Sequence, residues 1–387
     1  MPNDLYRTFE MRLALTSVLA GAAALAITSS VVFATSPTGS VFRDPVVTAA
    51  RSVALGTGRV DQPIIALSRL DDGTRHRLVA AGLRGLILVS DDNGATWTQA
   101  RVPVQSDLVA LYFAPSGQGW AVGHDGVILH SDDRGANWTK QFDGAIGQRT
   151  LLPYYQARID KGEKSLEPFA AQVALNTKDG PTLPYLSIYF QNDRVGYAVG
   201  SFGMLLASGD GGRTWQPWLD HIDNPNFLNL NDIREIAGDV YIAGEQGGVY
   251  RLDRDQHRFI NVSPSYKGSF FHIVGNAQYL MVVGLNGTAF RSTDRGQSWT
   301  AVNTGATTSL TSAALSSDGR TLMLTAEGGQ LLYSQDGAQT FRHLRPSTPM
   351  LFADIVADGG DDFVLAGYQG IERASLKPAR PVTPHQK

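Results

Sequence analysis

The sequence predicts an all-β protein, a seven-bladed β-propeller, and three observations carry that prediction. A turn of the form SxDxGxxW recurs, a GxxG turn precedes each copy, and the composition suits many short strands, with 41 glycines and only 18 % charged residues. The intact SxDxGxxW copies are Ser90, Asp92, Gly94 and Trp97; Ser131, Asp133, Gly135 and Trp138; Ser208, Asp210, Gly212 and Trp215; and Ser292, Asp294, Gly296 and Trp299. A further copy keeps Ser334, Asp336 and Phe341 but has Ala338 in place of glycine, and the stretch 252–259 retains only its aromatic, Phe259. Ser and Asp oxygens accept nearby backbone N–H groups and hold a tight turn, while the ring is expected to bury itself between neighbouring sheets. Copies spread around a ring cannot converge on one site, so these Asp-box turns read as folding parts.

The GxxG turns begin at Gly82, Gly123, Gly200, Gly244 and Gly284, then Ala326 in the sixth unit and Gly367 in the seventh. Their spacing is roughly 40 residues, the length of a four-stranded blade, except between Gly123 and Gly200. That excess places an insertion at about 142–183, in which two helices are expected, 151–159 and 168–175, the second with Pro168 in its first turn. Each unit reads as strand A, strand B, the GxxG turn, strand C, the Asp-box turn and strand D, as in 108–113, 119–122, 127–130 and the strand from Trp138. The last unit, 351–376, has three strand-like segments. A ring needs that edge closed, so a strand within 41–53 is expected to complete it. The domain reading is therefore a propeller at 61–376, a linker and closing strand at 35–60, and a Pro-rich, disordered tail at 377–387.

Residues 13–34 carry no charge, follow Arg7 and Arg12, and end in Val32-Phe33-Ala34. This reads as a signal peptide cut after Ala34 or as an uncleaved anchor, since about 20 apolar residues span a bilayer. Either reading exports the bulk of the chain, to a periplasm or a lumen-like compartment. The absence of cysteine leaves no disulfides, and a net charge of −3 provides no basic field for nucleic acid. The eight histidines are scattered without metal-ligand spacing, and Gly211-Gly212 and Gly359-Gly360 lack the strand-to-helix context of a phosphate loop. No cofactor or metal is expected, and the chain is expected to be a monomer.

Topology narrows the choice of interaction surface. In a propeller the B–C turns and the D–A connections emerge at one end, and the insertion follows strand D of the second blade, which puts it there too. The candidate partner-binding residues are Arg84, His124, Asp125, Phe202, Glu245, Gln246, Asn286, Glu327 and Tyr368 at turn tips, with Tyr154, Tyr155 and Arg158 in the insertion. Aromatic residues and arginine are the types that dominate interface energetics. The alternative is a glycan-binding protein or glycoside hydrolase that uses Asp125, Glu245 and Glu327 as rim carboxylates, because hydrolysis needs two facing carboxyl groups. Residues 42–45, Phe-Arg-Asp-Pro, resemble the sialidase arginine motif, with Asp44 where isoleucine is usual. His130 adjoins Ser131, but that serine is committed to its turn.

The segments GWAVGHDGVILHSDDRGANW (119–138), GYAVGSFGMLLASGDGGRTW (196–215) and 279–299 pair an AVGxxGxIxxS strand turn with SxDxGxxW. In this pairing the chain resembles the photosystem II stability and assembly factor family, within the wider bacterial neuraminidase-repeat class, over roughly 60–376. The resemblance implies an exported seven-bladed propeller that acts without catalysis, as an assembly or stability factor for a membrane-protein complex. The insertion, Ala338 and the lost turn at 252–259 depart from the family's regular pattern.

Overall fold

The computed structural model describes residues 44–55, 60–71, 76–178, 180 and 182–376. The signal or anchor segment, residues 35–43 of the 35–60 linker and the 377–387 tail lie outside the described residues. Seven antiparallel sheets follow one another along the chain, six of four strands and a seventh of three. The innermost strands are Ile64–Asp71, Leu108–Phe113, Tyr185–Phe190, Leu230–Ile236, Phe270–Gly275, Leu310–Leu315 and Phe352–Ala357. Every one of them carries a register shift against its neighbour, between Ile64 and Ala66 in blade 1 and between Phe352 and Asp354 in blade 7, for example. Such a bulge adds twist, which suits strands gathered around an axis.

The core is partitioned between blades rather than gathered in one mass. Separate clusters join blades 1 and 2 (Val79, Ile87, Leu108, Trp138), 3 and 4 (Val199, Ile233, Phe259), 5 and 6 (Met281, Leu310, Leu324) and 7 and 1 (Leu67, Leu88, Val364). The turn aromatics pack back onto the preceding blade, as Trp138 does, and Phe259 stays fully buried although its turn has lost the motif. In the intact turns Ser90 Oγ accepts from Gly94 N at 2.8 Å and Asp92 accepts from Thr96 N at 2.8 Å, and the geometry repeats at Ser292 and Asp294. Ala338 keeps the bond to Ser334, at 3.1 Å, while holding a φ of 63°. The turn thus tolerates a residue ill suited to that conformation.

The expected closing strand is absent from blade 7 among the described residues. Residues 44–55 contain only a short 3₁₀ turn, Pro45–Val47, and bond to the flank of blade 1: Ala50 N donates to Val102 O at 3.0 Å, and Gln99 bonds Val53 and Arg51. Arg51 and Asp44, charged and exposed, suit an outer surface more than an inter-blade core. Closure rests on direct contacts between blades 1 and 7. Leu67 N donates to Asp354 at 2.8 Å, Arg69 pairs with Asp358 at 3.4 Å, Arg373 donates to Asn93 O, and Ile371 N donates to Val60 O at 3.3 Å.

The insertion forms two helices, α1 (Gly144–Asp160) and α2 (Glu167–Thr177). α1 begins seven residues before the expected 151, because Asp143 caps it, accepting from Ile146 N at 2.7 Å while bound by Lys140. Gly144, Gly147 and Pro153 depress helix propensity here and hide that start in the sequence. Leu151, Tyr155, Ile159, Leu166 and Val173 join the cluster between blades 2 and 3, where Trp120 stacks on Phe190 at 3.7 Å.

Candidate docking face

The GxxG turns are built alike. In five of the seven, the residue before the final glycine has left-handed backbone: Arg84, Asp125, Phe202, Gln246 and Asn286, with φ between 51° and 59°. Side chains at the entry to the next blade satisfy the groups this conformation exposes. Asp107 accepts from Arg84 N at 2.7 Å, Asn229 from Phe202 N at 2.6 Å, and Ser309 from Asn286 N at 3.4 Å. In the sixth blade Thr308 accepts from Gly328 N at 2.9 Å. Three of the tips are thus tied to the entry of the following blade, and the sixth to its own.

The candidate residues divide by environment. Arg84, His124, Phe202, Gln246, Asn286, Glu327 and Tyr368 are exposed at the tips, and Phe202 and Tyr368 each remain 52 % accessible. Two of the rim carboxylates are engaged in stitching: Asp125 accepts from Ser106 Oγ at 2.7 Å and Glu245 from Asn229 N at 2.9 Å. Tyr155, a candidate contact residue that could equally anchor the insertion, is fully buried. Its hydroxyl donates to Asp220 at 2.8 Å and accepts from Leu219 N at 3.0 Å, and burial followed by the Asp220 charge pushes its phenol far above the usual range. Arg158 is held by Glu163 at 2.6 Å and Asp220 at 3.2 Å, with its guanidinium 5.7 Å from the half-buried Tyr154 ring. These three residues fasten the insertion to blade 3, and the insertion's outward contribution comes from elsewhere.

That contribution is the exposed Leu175 of α2, next in sequence to Asn176, whose Nδ2 donates to Phe202 O at 3.3 Å. The exposed large hydrophobic side chains among the described residues are Val47, Leu175, Phe202, Leu285, Leu351 and Tyr368. Phe202, Leu285 and Tyr368 are GxxG tips, and Leu351 O accepts from Tyr368 N at 3.1 Å. Val47 sits beside the connection into blade 2, where Gln105 N donates to Pro45 O at 2.7 Å. All six thus gather toward one end of the molecule. Leu175, Leu285, Leu351 and Val47 escaped the sequence reading, although inspecting both inner positions of every GxxG turn would have found Leu285.

A second concave feature is the central channel, about 430 Å³, lined by the innermost strands. Its wall carries a polar belt of residues that follow the bulges: Ser187, Asp232, His272, Ser312 and Asp354, with Ala66 and Ala110 in blades 1 and 2. Asp232 accepts from Ser187 Oγ at 3.0 Å and Ile273 N at 3.1 Å, and lies 3.2 Å from both Arg234 Nε and His272 Nδ1. Burial opposes its ionisation, but the Arg234 and His272 charges and these hydrogen bonds hold its carboxyl below the usual range. Asp354 likewise accepts from Leu67 N and, at 2.8 Å, from Ser312 Oγ. Both aspartates thus join neighbouring blades.

Comparison with known proteins agrees with this architecture. A family model described as photosynthesis system II assembly factor YCF48 matches residues 165–359, half of the chain. Among solved structures, YCF48 bound to a D1 peptide superposes with a TM-score of 0.59 at 17 % identity, covering 87 % of this chain and 99 % of that one. YCF48 from Cyanidioschyzon merolae gives 0.58 at 17 % identity, covering 84 % and 98 %, and the WD40 propeller domain of Doa1 gives 0.58 at 9 %, covering 86 % and 97 %. A search of curated proteins finds no match. These structural likenesses reflect the propeller fold, while the family model extends from α2 through the blades to the start of the seventh; by that match the chain belongs to the photosynthesis system II assembly factor YCF48 family.

Proposed function

We propose that this protein is a non-enzymatic, exported scaffold that binds a subunit of a membrane-protein complex through the GxxG end of the ring, centred on Phe202 and Leu175. The observation that carries this reading is that the exposed apolar side chains lie at one end of the ring, with Phe202 held outward on left-handed backbone. That backbone is common to five of the turns, and at this one it presents a large ring that is 52 % accessible. Family membership supports it, and so does the family structure solved with a D1 peptide, a precedent for binding a peptide segment. The Asp-box turns serve the fold and leave this end free to bind.

The test is affinity isolation from crosslinked membranes with a tagged full-length chain, compared with Phe202→Asp and Leu175→Asp. Aspartate tolerates left-handed backbone and both positions are exposed, so neither change should unfold the blade. Loss of a central aromatic anchor should lower recovery of a membrane complex by about tenfold or more. Undiminished recovery by both variants would refute the assignment.

A further inference from the structure

The exposed apolar residues do not form one patch. Phe202 and Leu175 belong to blade 3 and the insertion, Leu285 to blade 5, Leu351 and Tyr368 to blade 7, and Val47 to the flank of blade 1. Residues spread over blades 3, 5 and 7 suit a broad, flat partner better than one short segment. We infer that this end of the propeller rests on a lipid bilayer, with the rim tips Leu285, Leu351 and Tyr368 seated in the interfacial layer beside the protein contact at Phe202. The inference rests on the docking reading above and adds the second chemistry this face meets.

Three observations identify lipid as the occupant. Residues 13–34 form an uncharged run long enough to span a bilayer, and only the nine residues 35–43 separate it from Asp44. Fully extended, those residues reach roughly 30 Å, so a retained anchor would hold Asp44 within that distance of the membrane. The chain after Asp44 is fastened toward the GxxG end, through Pro45 O to Gln105 N and Val46 O to Lys140 Nζ at 3.0 Å. A tether attached there favours presenting this end to the bilayer over the opposite end. Tyr368 also suits the interfacial layer, where an amphipathic ring keeps its apolar body in the acyl boundary and its hydroxyl among the headgroups.

The chain has no cysteine, which allows single reporters. Full-length Leu285→Cys, Tyr368→Cys and Gln335→Cys, the last exposed in the degenerate turn at 334–341 on the opposite end, would each be labelled with a fluorophore. They would then be reconstituted into protein-free vesicles of equal parts phosphatidylethanolamine and phosphatidylglycerol containing a spin-labelled lipid. Quenching is expected to be several-fold stronger at 285 and 368 than at 335, and adding Leu351→Asp to the Tyr368→Cys chain should weaken it. Equal quenching at both ends overturns the inference. Because these vesicles hold no protein partner, that outcome can coexist with retained capture of a membrane complex, and strong quenching can coexist with lost capture, so the two readings fail separately.

Discussion

Asp92 and Asp294 are small, exposed parts of the fold, yet hydrogen bonds make each a titrating element of stability. Bonds from the Thr96 side chain and backbone hold the Asp92 carboxyl down at about 2, and bonds from Ser298 do the same for Asp294. Their usual value is 3.8, so the folded state binds these protons later than the unfolded chain does. The resulting stabilisation is fully present above about pH 5 and is lost as the pH falls through 4 toward 2. A chain with Asp92→Asn and Asp294→Asn is expected to show a shallower loss of stability between pH 5 and 2 than the native chain, measured by urea unfolding at each pH. The turns themselves were legible from the sequence because every group in them is local: Ser, Asp and Gly contact one another within four residues.

At the scale of elements, the insertion shows where local reading stops. Its presence and two-helix character follow from the interrupted repeat and from Pro168, but whether Tyr155 contacts a partner or anchors the insertion does not, and it lies inside. What decides its position is Asp220, more than sixty residues later, which accepts its hydroxyl proton in the turn after blade 3. Tyr155→Phe should cost about 1–2 kcal/mol in chemical unfolding, the value of a buried hydrogen bond and the group it leaves unpaired, while capture of a membrane complex stays unchanged. Lost capture with unaltered stability would mean that Tyr155 is a contact residue after all. Removing 148–178 entirely would uncover the Trp120–Phe190 core, so the insertion's binding role is better probed through Leu175.

Across the whole molecule the ring is held by apolar wedges between blades and by a belt of polar residues around the channel. Asp354 is the belt's link across the seam, bonded to blade 1 at Leu67 and blade 6 at Ser312. Asp354→Ala leaves both donors unpaired and should destabilise the ring by about 2–3 kcal/mol, whereas Asp354→Asn, which retains an acceptor, should lose less; urea unfolding of the two variants measures the difference. Equal losses would show that the contact is incidental to closure. The closing strand expected within 41–53 failed for a reason that belongs to this scale. The edge rule demands that blade 7 be protected, but it does not say by what, and here contacts from Arg69 to Asp358 and from Arg373 to Asn93 share the task with the backbone of Val60.

The sequence by itself determined the all-β class, the number of blades, the place of the insertion and the end from which the candidate tips project. Those properties follow from periodic turns, whose hydrogen bonds close within a few residues. Only the tertiary structure decided that Tyr155 and Arg158 fasten the insertion, that Asp232 and Asp354 join blades inside the channel, and that the exposed apolar residues gather at one end. Each of these depends on residues far apart in the chain that become neighbours when the ring closes, and no local pattern encodes which side of a strand or helix that closure leaves facing water.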